Sequence, residues 1–402
     1  MMPRILKFGG TSVATIDQIK KIAKFIKERH EDEQLVVVVS AMGKTTDRLV
    51  KMIKEISETP SKRELDMLLA TGEQITIPLL STALREEKVN AISLTGAQAG
   101  IQTSDHHSKA RIESINCDLI QKHLEAGTVV VVAGFQGISA TGDITTLGRG
   151  GSDTTAVALA VALGGTCEIY TDVEGIYTVD PRYNKNARKL TEISYQEMLE
   201  MASLGAGVLE TRAIEMAHKF KVPLYVAKTL SKTKGTSIIE RTKEMESTVI
   251  TGISIDTDCL MASVKHLPFS QENIAELFMN LANRQLNIDM ISIAAPYNDH
   301  VTVSFTAEKD DAKDLEEVIQ NMKKAHNTIE ITTNNEIVKL SVVGIGMVSH
   351  SGVAANIFRL FAEENIHYYQ VTTSEISISY TILKSDVERC IDIISKEYEL
   401  EK

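Results

Sequence analysis

An α/β chain is the fold class the sequence predicts: a three-layer sandwich with a mainly parallel sheet, followed by two βαββαβ modules. Three observations carry that expectation. Apolar, β-branched runs at 35–39, 90–94, 129–133, 168–171 and 223–227 alternate with helical patterns, and continuous apolar strands of this kind lie in sheets covered by helices on both faces. Between 228 and 247 the composition turns to Lys, Thr, Ser and Glu before a new strand pattern opens near Ile250, which marks a domain boundary. Beyond it the sequence repeats, 274–278 overlaying 354–358 with a small offset and 281–283 overlaying 361–363, each copy bracketed by strand patterns. A further strand and helix close each copy in the ferredoxin-like arrangement. The expected domains are 1–245, 250–335 and 336–402.

With 402 residues the chain has room for more than one core. Its 43 Lys and Arg against 54 Asp and Glu leave a net charge of −11, so no general attraction for nucleic acid or an anionic membrane is expected. Any polyanion must be held by a local site. Cys117, Cys167, Cys259 and Cys390 lie far apart and match no zinc or redox spacing, which points to free thiols in a cytoplasmic protein. No apolar core of a secretion signal is read at the start, and the apolar stretches 129–135 and 156–163 are too short to span a bilayer.

Taken in order, residues 1–6 read as a first strand that delivers Lys7-Phe8-Gly9-Gly10-Thr11-Ser12. Paired glycines let main-chain N–H groups approach anionic oxygens, and the lysine adds a positive charge. Alone, the segment reads as an ordinary strand-to-helix turn. Helical patterns at 16–28, 45–57, 62–86 and 194–204 supply the covering layers. Residues 40–46 look like a phosphate loop but lack its first glycine, whose place Val38 takes, so Ser40 and Thr45 are left as hydroxyl groups at a strand end. Glu73, by itself, reads as a solvated charge.

The densest constellation runs from Thr145 to Thr155 and opens an alanine-rich helical stretch at 156–163. Gly148, Gly150 and Gly151 precede a Ser152/Asp153 cap, a positive helix terminus aimed at an anion. Arg149 can grip a carboxylate or a phosphate through two parallel hydrogen bonds. Asp153 offers an acceptor for an ammonium, a metal ion or Lys7. In the loop 171–182, Asp172, Gly175 and the Asp180-Pro181 pair read as turn chemistry, while an aromatic, an acid and an arginine together suit a purine, a ribose and a phosphate.

In this order, Lys-Phe-Gly-Gly-Thr-Ser at 7–12, Val-Ser-Ala-Met-Gly at 39–43, Gly-Phe-Gln-Gly at 134–137, Gly-Arg-Gly-Gly-Ser-Asp at 148–153 and Thr-Asp-Val-Glu-Gly at 171–175 resemble the amino-acid kinase family, and within it the aspartate kinases. The C-terminal repeat is similar to tandem ACT modules. The resemblance implies phosphorylation of the β-carboxylate of L-aspartate by Mg-ATP, giving 4-phospho-L-aspartate for lysine, threonine and methionine synthesis. An aspartate side chain, with a reference pKa of about 3.9, is already ionised at neutral pH and needs no general base. Catalysis then becomes positioning plus charge neutralisation.

By resemblance, Lys7 and Asp153 are catalytic. Lys7, Phe8, Gly9, Gly10, Thr11 and Ser12, with Thr171, Asp172, Tyr177, Asp180 and Arg182, hold nucleotide. Ser40, Thr45, Glu73, Arg149, Gly151 and Ser152 line the substrate pocket, Arg149 clamping a carboxylate while Glu73 and Asp153 meet the ammonium. Mg²⁺ is expected on phosphate oxygens with few direct protein ligands. In the second module Met347, Val348, Ser349, His350 and Val353 before the helix, and Thr373, Ser374 and Glu375 after the next strand, are implied to bind an inhibitory amino acid, lysine alone or with threonine. A homodimer or larger homo-oligomer paired through the modules is expected.

Two departures stand out. Where many relatives carry Gly-Ala-Lys-Val-Leu-His-Pro-Arg, residues 205–212 read Gly-Ala-Gly-Val-Leu-Glu-Thr-Arg, and an Asp-x-Pro-Gly type of turn is replaced at 267–273. Two other readings stay open: a kinase of another carboxylate such as N-acetylglutamate, and a non-catalytic amino-acid-sensing subunit.

Overall fold

The structure, a computed structural model, describes residues 2–240 and 249–402. Among them, 2–176, 189–202 and 207–240 form one unit, and 177–188, 203–206 and 249–402 a second. The boundary expected at 245–250 runs into residues 241–248, outside the described residues.

The first unit opens with β1 (Arg4–Phe8), α1 (Ile16–His30) and β2 (Leu35–Val39), then the helices α2 (Thr45–Ile56), α3 (Lys62–Leu69) and α4 (Thr71–Glu86). Next come β3 (Ala91–Leu94), β4 (Ile101–Thr103), β5 (Ile112–Ile115), α5 (Asp118–Glu125) and β6 (Val129–Ala133). β7 (Gln136–Ser139) and β8 (Ile144–Thr146) lead into α6 (Gly151–Leu163) and β9 (Thr166–Thr171). β10 (Glu192–Ser194), α7 (Tyr195–Ser203), α8 (Thr211–Phe220), β11 (Leu224–Lys228) and β12 (Thr236–Ile239) complete it.

Eight strands form one sheet in the order β10-β12-β11-β9-β1-β2-β6-β3, parallel throughout except for β11 against β12. Valine-rich β2 and β6 are buried along their whole length, as β-branched side chains in a helix-covered sheet should be. α1 starts on a capping box between Thr15 and Gln18, buries Ile19, Ile22, Ala23 and Ile26, and carries Lys27, Arg29 and His30 in its last turn, where cations suit the helix dipole. α6 is buried from Gly151 through Ala160, which explains its small side chains. β5, β4, β7 and β8 make a separate four-stranded sheet that ends at Thr146, directly ahead of the glycine-rich turn. Among the described residues one helical stretch, Lys62–Glu86, is apolar enough by length and composition to cross a membrane, and half of its most apolar window is buried within the fold.

The second unit holds β13 (Gly252–Asp256), β14 (Cys259–Pro268), α9 (Gln271–Asn283), β15 (Ile288–Ile293), β16 (His300–Glu308), α10 (Ala312–Ala325) and β17 (Glu330–Asn334). β18 (Ile337–Val343), α11 (Val353–Glu363), β19 (Tyr368–Thr373), β20 (Ser377–Leu383) and α12 (Val387–Glu397) follow. Its two sheets run β15-β16-β14-β17 and β13-β18-β20-β19. The segment 259–334 is therefore a βαββαβ module as expected. The second module departs from expectation: its fourth strand is β13, paired antiparallel with β18, not a strand after α12. Both edges of β14 are taken by β16 and β17, and Ile253 finds its apolar surroundings among Val338, Leu340 and Tyr380. Drawing the first module from 250 thus gave it a strand that belongs to the second.

A second correction concerns 177–188. The Ile253 N–H donates to the Thr178 carbonyl at 2.7 Å, the Thr178 hydroxyl donates to the Leu400 carbonyl at 2.6 Å, and Val179 and Ala187 join the core of the β13-β18-β20-β19 sheet. This stretch is folded into the second unit.

The β13 exchange makes a testable statement. Ile253→Ala should cost about 2–5 kcal/mol, the range for deleting a buried aliphatic side chain. Hydrogen exchange should show protection lost first in β18 and β20, with β14 and β16 retained. Loss in β14 first would contradict the pairing.

Candidate active site

Strand register alone brings the sequence motifs together. Phe8 lies beside Val39 and Tyr170, and Val39 beside Ala133, so Gly9, Ser40, Gly134 and Thr171 leave the sheet side by side. Main-chain bonds fix that edge: Gly9 N–H to the Tyr170 carbonyl at 3.2 Å, Ser40 N–H to Phe8 at 3.1 Å and Gly134 N–H to Val39 at 3.0 Å. β1 sits between β2 and β9, the point where strand order reverses. A crevice at the carboxyl ends of such a sheet is where ligands bind.

Lys7 reaches into this crevice from β1. Its Nζ lies 2.5 Å from Asp153 Oδ1, and the two residues are 9% and 8% exposed. A Cβ on Gly9 would stand 3.6 Å from that ammonium, and one on Gly10 only 2.9 Å from the Ala41 carbonyl. The turn is therefore pressed against the loop after β2, and the Gly43 N–H donates back to the Gly10 carbonyl at 2.9 Å. Opposite, Gly148 (φ +83°) and Gly150 (φ +63°) take left-handed conformations that lead into the first turn of α6. Ser152 fits against Gly134, where a Cβ would be 2.7 Å from its Oγ. One ammonium, a backbone turn and a helix N-terminus thus face a common space, a setting for an anion.

Glu73 is not the solvated charge its local sequence suggests. It is 3% exposed; Oε1 accepts the Ala41 N–H at 2.9 Å, and Oε2 has no hydrogen-bond partner among the described residues. Burial pushes its carboxyl up to about 7, against which the bonds from its own and the Ala41 main chain weigh less. An unpartnered buried carboxylate oxygen is a place prepared for a cation. Thr45 donates its hydroxyl to the Met42 carbonyl at 2.7 Å, shaping the loop beside Ser40.

Ser12 shares a 2.6 Å hydrogen bond with Thr229, whose N–H donates to the Thr171 carbonyl at 2.9 Å. Ser12, Thr171 and, next to it, Asp172 are thereby gathered at the ends of β1, β9 and β11. Tyr177, Asp180 and Arg182, expected at the nucleotide, fall within the second unit. There Tyr177 packs on the apolar core, and Asp180 accepts from the Arg182 N–H at 2.8 Å and its guanidinium at 2.6 Å. Burial raises the Asp180 carboxyl, but these bonds outweigh it and hold it below the usual range.

Four residues near the site were not among those the sequence assigned to it, although the departure at Glu210 was noted. Thr229 sits just past a strand end that the apolar pattern located. Glu210 packs onto Gly150, where a Cβ would be 2.5 Å from the Glu210 Cβ; burial and then the charge of Asp153 raise its carboxyl. Asp66 and Arg212 brace the chain ahead of Gly148, as set out below. The motif departure at 210 was visible; its closeness to Gly150 was not.

In the second unit the Gly344 N–H donates to the Ile376 carbonyl at 2.9 Å. The stretch with Met347, Val348, Ser349, His350 and Val353 thus lies beside the turn with Thr373, Ser374 and Glu375. Val348 is exposed and Val353 is buried at the start of α11. His350 Nδ1 lies 2.9 Å from the Gly346 carbonyl.

Glu73 carries a stability consequence. Its folded-state pKa of about 7 lies above the unfolded value near 4.5, so the folded state is penalised as pH rises through that window. Glu73→Gln should be more stable than the parent at pH 8, by up to about 3 kcal/mol beyond any difference at pH 4. Melting curves at both values check it, and a parent protein more stable at pH 8 would contradict the burial argument.

The model of the Amino acid kinase family matches residues 2–228, and an ACT domain model matches residues 340–398. Aspartokinase 2 of Bacillus subtilis (strain 168) is 46% identical over 400 residues, covering 99% of this chain and 98% of that protein. A crystal structure of aspartate kinase from Synechocystis is similar with 39% identity and a TM-score of 0.55, over 99% of this chain and 69% of that one. E. coli aspartokinase III in complex with aspartate and ADP shares the fold, with a TM-score of 0.80 at 22% identity, over 98% of this chain and 99% of that one. With its glycine-rich turns, its central lysine and relatives alike from end to end, the chain belongs to the amino acid kinase family.

Proposed function

We infer that this chain is an aspartate kinase that phosphorylates the β-carboxylate of L-aspartate with ATP, the first step toward lysine, threonine and methionine. The observation that carries the chemistry is the Lys7 ammonium held 2.5 Å from Asp153 at the reversal point of the sheet. The acceptor carboxylate is ionised without help, so the protein's task is to align two anions and offset their charge. Lys7 and the N–H groups of the Gly9–Gly10 turn and of the α6 first turn receive the transferring phosphoryl oxygens. Asp153 orients Lys7 through the ion pair. Arg149 takes a substrate carboxylate, and the unpartnered Oε2 of Glu73 takes the substrate ammonium. Ser40, Thr45, Gly151 and Ser152 close the pocket, and Phe8, Thr11, Ser12, Thr171 and Asp172 flank the nucleotide.

Mg²⁺ supplies charge neutralisation on the nucleotide phosphates. Among the described residues no three His, Cys, Asp or Glu side chains gather as a cation cage, and Asp153 is engaged by Lys7, a donor set that suits an ion carried mainly by phosphate oxygens. Lysine, alone or together with threonine, acts as feedback inhibitor at the paired segments around 347–353 and 373–375. The exposed Ile291, Ile293, Tyr368 and Tyr369 lie on β15 and β19, the outer strands of their sheets, and support pairing of two copies there. The buried free thiols fit a cytoplasmic setting.

A coupled ADP-release assay tests this reading. Turnover with L-aspartate, none with N-acetyl-L-glutamate, and inhibition by lysine or by lysine with threonine are expected; no turnover with any amino acid would favour a sensing subunit. The Glu73 carboxyl adds a pH signature. Protonated Glu73 cannot pair with an ammonium, so kcat/KM for aspartate should rise with pH up to about 7 and then level. Glu73→Gln should lower it by about 10- to 100-fold and remove the rising limb; an unchanged limb would mean that another group titrates.

A further inference from the structure

We propose that Asp66 is a positioning residue for the reaction, the strut that sets the spacing between Glu73 and the Arg149 turn. This rests on the reading of those two residues as the holders of the substrate's ammonium and carboxylate.

Asp66 is fully buried on α3, yet it touches nothing that reacts. Its carboxylate is met by two separate segments, 107–108 and 146. Oδ1 takes the Thr146 hydroxyl at 2.6 Å, the Ser108 N–H at 3.0 Å and the Ser108 hydroxyl at 3.3 Å. Oδ2 takes the Ser108 N–H at 2.8 Å and the Thr146 N–H at 3.0 Å, and lies 3.1 Å from His107 Nδ1. A carboxyl group, with an acceptor oxygen on each side, suits the N–H and O–H donors of Ser108 and Thr146 together.

What it ties down is the exit of β8. The Thr146 carbonyl accepts the Ala110 N–H at 2.9 Å, the Leu147 N–H donates to the Phe135 carbonyl at 2.9 Å, and the Leu147 carbonyl accepts from Arg212 at 2.8 Å. Immediately after this clamp come Gly148, Arg149 and Gly150, whose glycines are left-handed and soft. Arg149 itself is exposed, so its direction is set by the end of β8. On the other side, Asp66 belongs to the helical stretch that carries Glu73. The Ala70 N–H donates to the Asp66 carbonyl at 3.0 Å, and Gln136 binds the Ala70 carbonyl at 2.8 Å. One carboxylate on α3 therefore ties the start of α4, which bears Glu73 and follows α3 directly at Ala70, to the strand that aims Arg149, and a misplacement there spoils alignment without removing any contacting group.

The test compares Thr146→Val, Thr146→Ser and Asp66→Asn in the full chain, with Arg149→Ala as control, reading steady-state kinetics, ADP affinity by calorimetry and melting temperature. Thr146→Val keeps shape and main chain but removes the 2.6 Å hydroxyl donor. It should raise KM for L-aspartate about 10-fold, leave ADP affinity and kcat within about 2-fold, and be rescued by Thr146→Ser. Asp66→Asn turns one acceptor into a donor facing donors and should have the larger effect; if it does not fold, the Thr146 pair decides. A Thr146→Val protein of lower melting temperature with unaltered KM for aspartate, while Arg149→Ala raises that KM, would overturn the proposal alone. An Arg149→Ala protein with unaltered KM would overturn the reading of Arg149 and the proposal with it.

Discussion

An ammonium group withdrawn from water needs a partner of opposite charge, and in this chain Lys7 and Asp153 supply one another. Burying two ions costs several kcal/mol each before their attraction returns any of it, so the pair persists only where β1 and the start of α6 are held at fixed distance. The neighbouring sheet is arranged to that end. β1 lies in its centre, flanked by β2 and β9, and α6 is buried through Ala160 so that its first turn cannot drift. The glycines at 9, 10, 134 and 150 leave out Cβ atoms that would press on Lys7 Nζ, the Ala41 carbonyl, Ser152 and Glu210 respectively.

The same crevice shows where stability has been given up for function. Among the described residues Glu73 keeps one oxygen unpaired in the interior, an arrangement that a fold selected for stability alone would replace with an amide or an apolar group. Glu210 adds a carboxylate beside Gly150, its proton held more tightly by burial and by Asp153. Positive groups at Lys7 and Arg149 and the α6 N-terminus therefore stand near the Asp153 and Glu210 carboxylates.

Much of this was legible in the residue order. The valine runs located β2 and β6, Gly-Gly and Gly-Arg-Gly-Gly located the two turns, and the parallel sheet they imply brings both turns to one edge through register alone. Burial was less visible. Thr71-Gly72-Glu73 lies inside the helical pattern 62–86 and by itself reads as solvated, and only the close approach of Gly72 to Ala41, 2.8 Å for a Cβ on the glycine, shows that it is sealed under the loop after β2. Asp66 sits among helix-forming residues with no local signal, because all its side-chain partners come from 107–108 and 146. The exchange of β13 was hidden for a related reason: an alternating strand pattern says which face is apolar, not which edge it will join. Tyr177, Asp180 and Arg182 continue the loop that begins at Thr171, and the sequence carries no mark of the point where the chain passes from the first unit into the second.

The central claim is that Lys7 acts on charge developing during transfer more than on the bound nucleotide. Rapid-quench single-turnover measurement on Lys7→Ala with saturating L-aspartate and Mg-ATP, set beside the dissociation constant of ADP, tests it most directly. The account predicts a transfer rate lowered about 100- to 1,000-fold with an ADP dissociation constant changed less than about 10-fold. An unaltered transfer rate, with the loss confined to nucleotide binding, would contradict it.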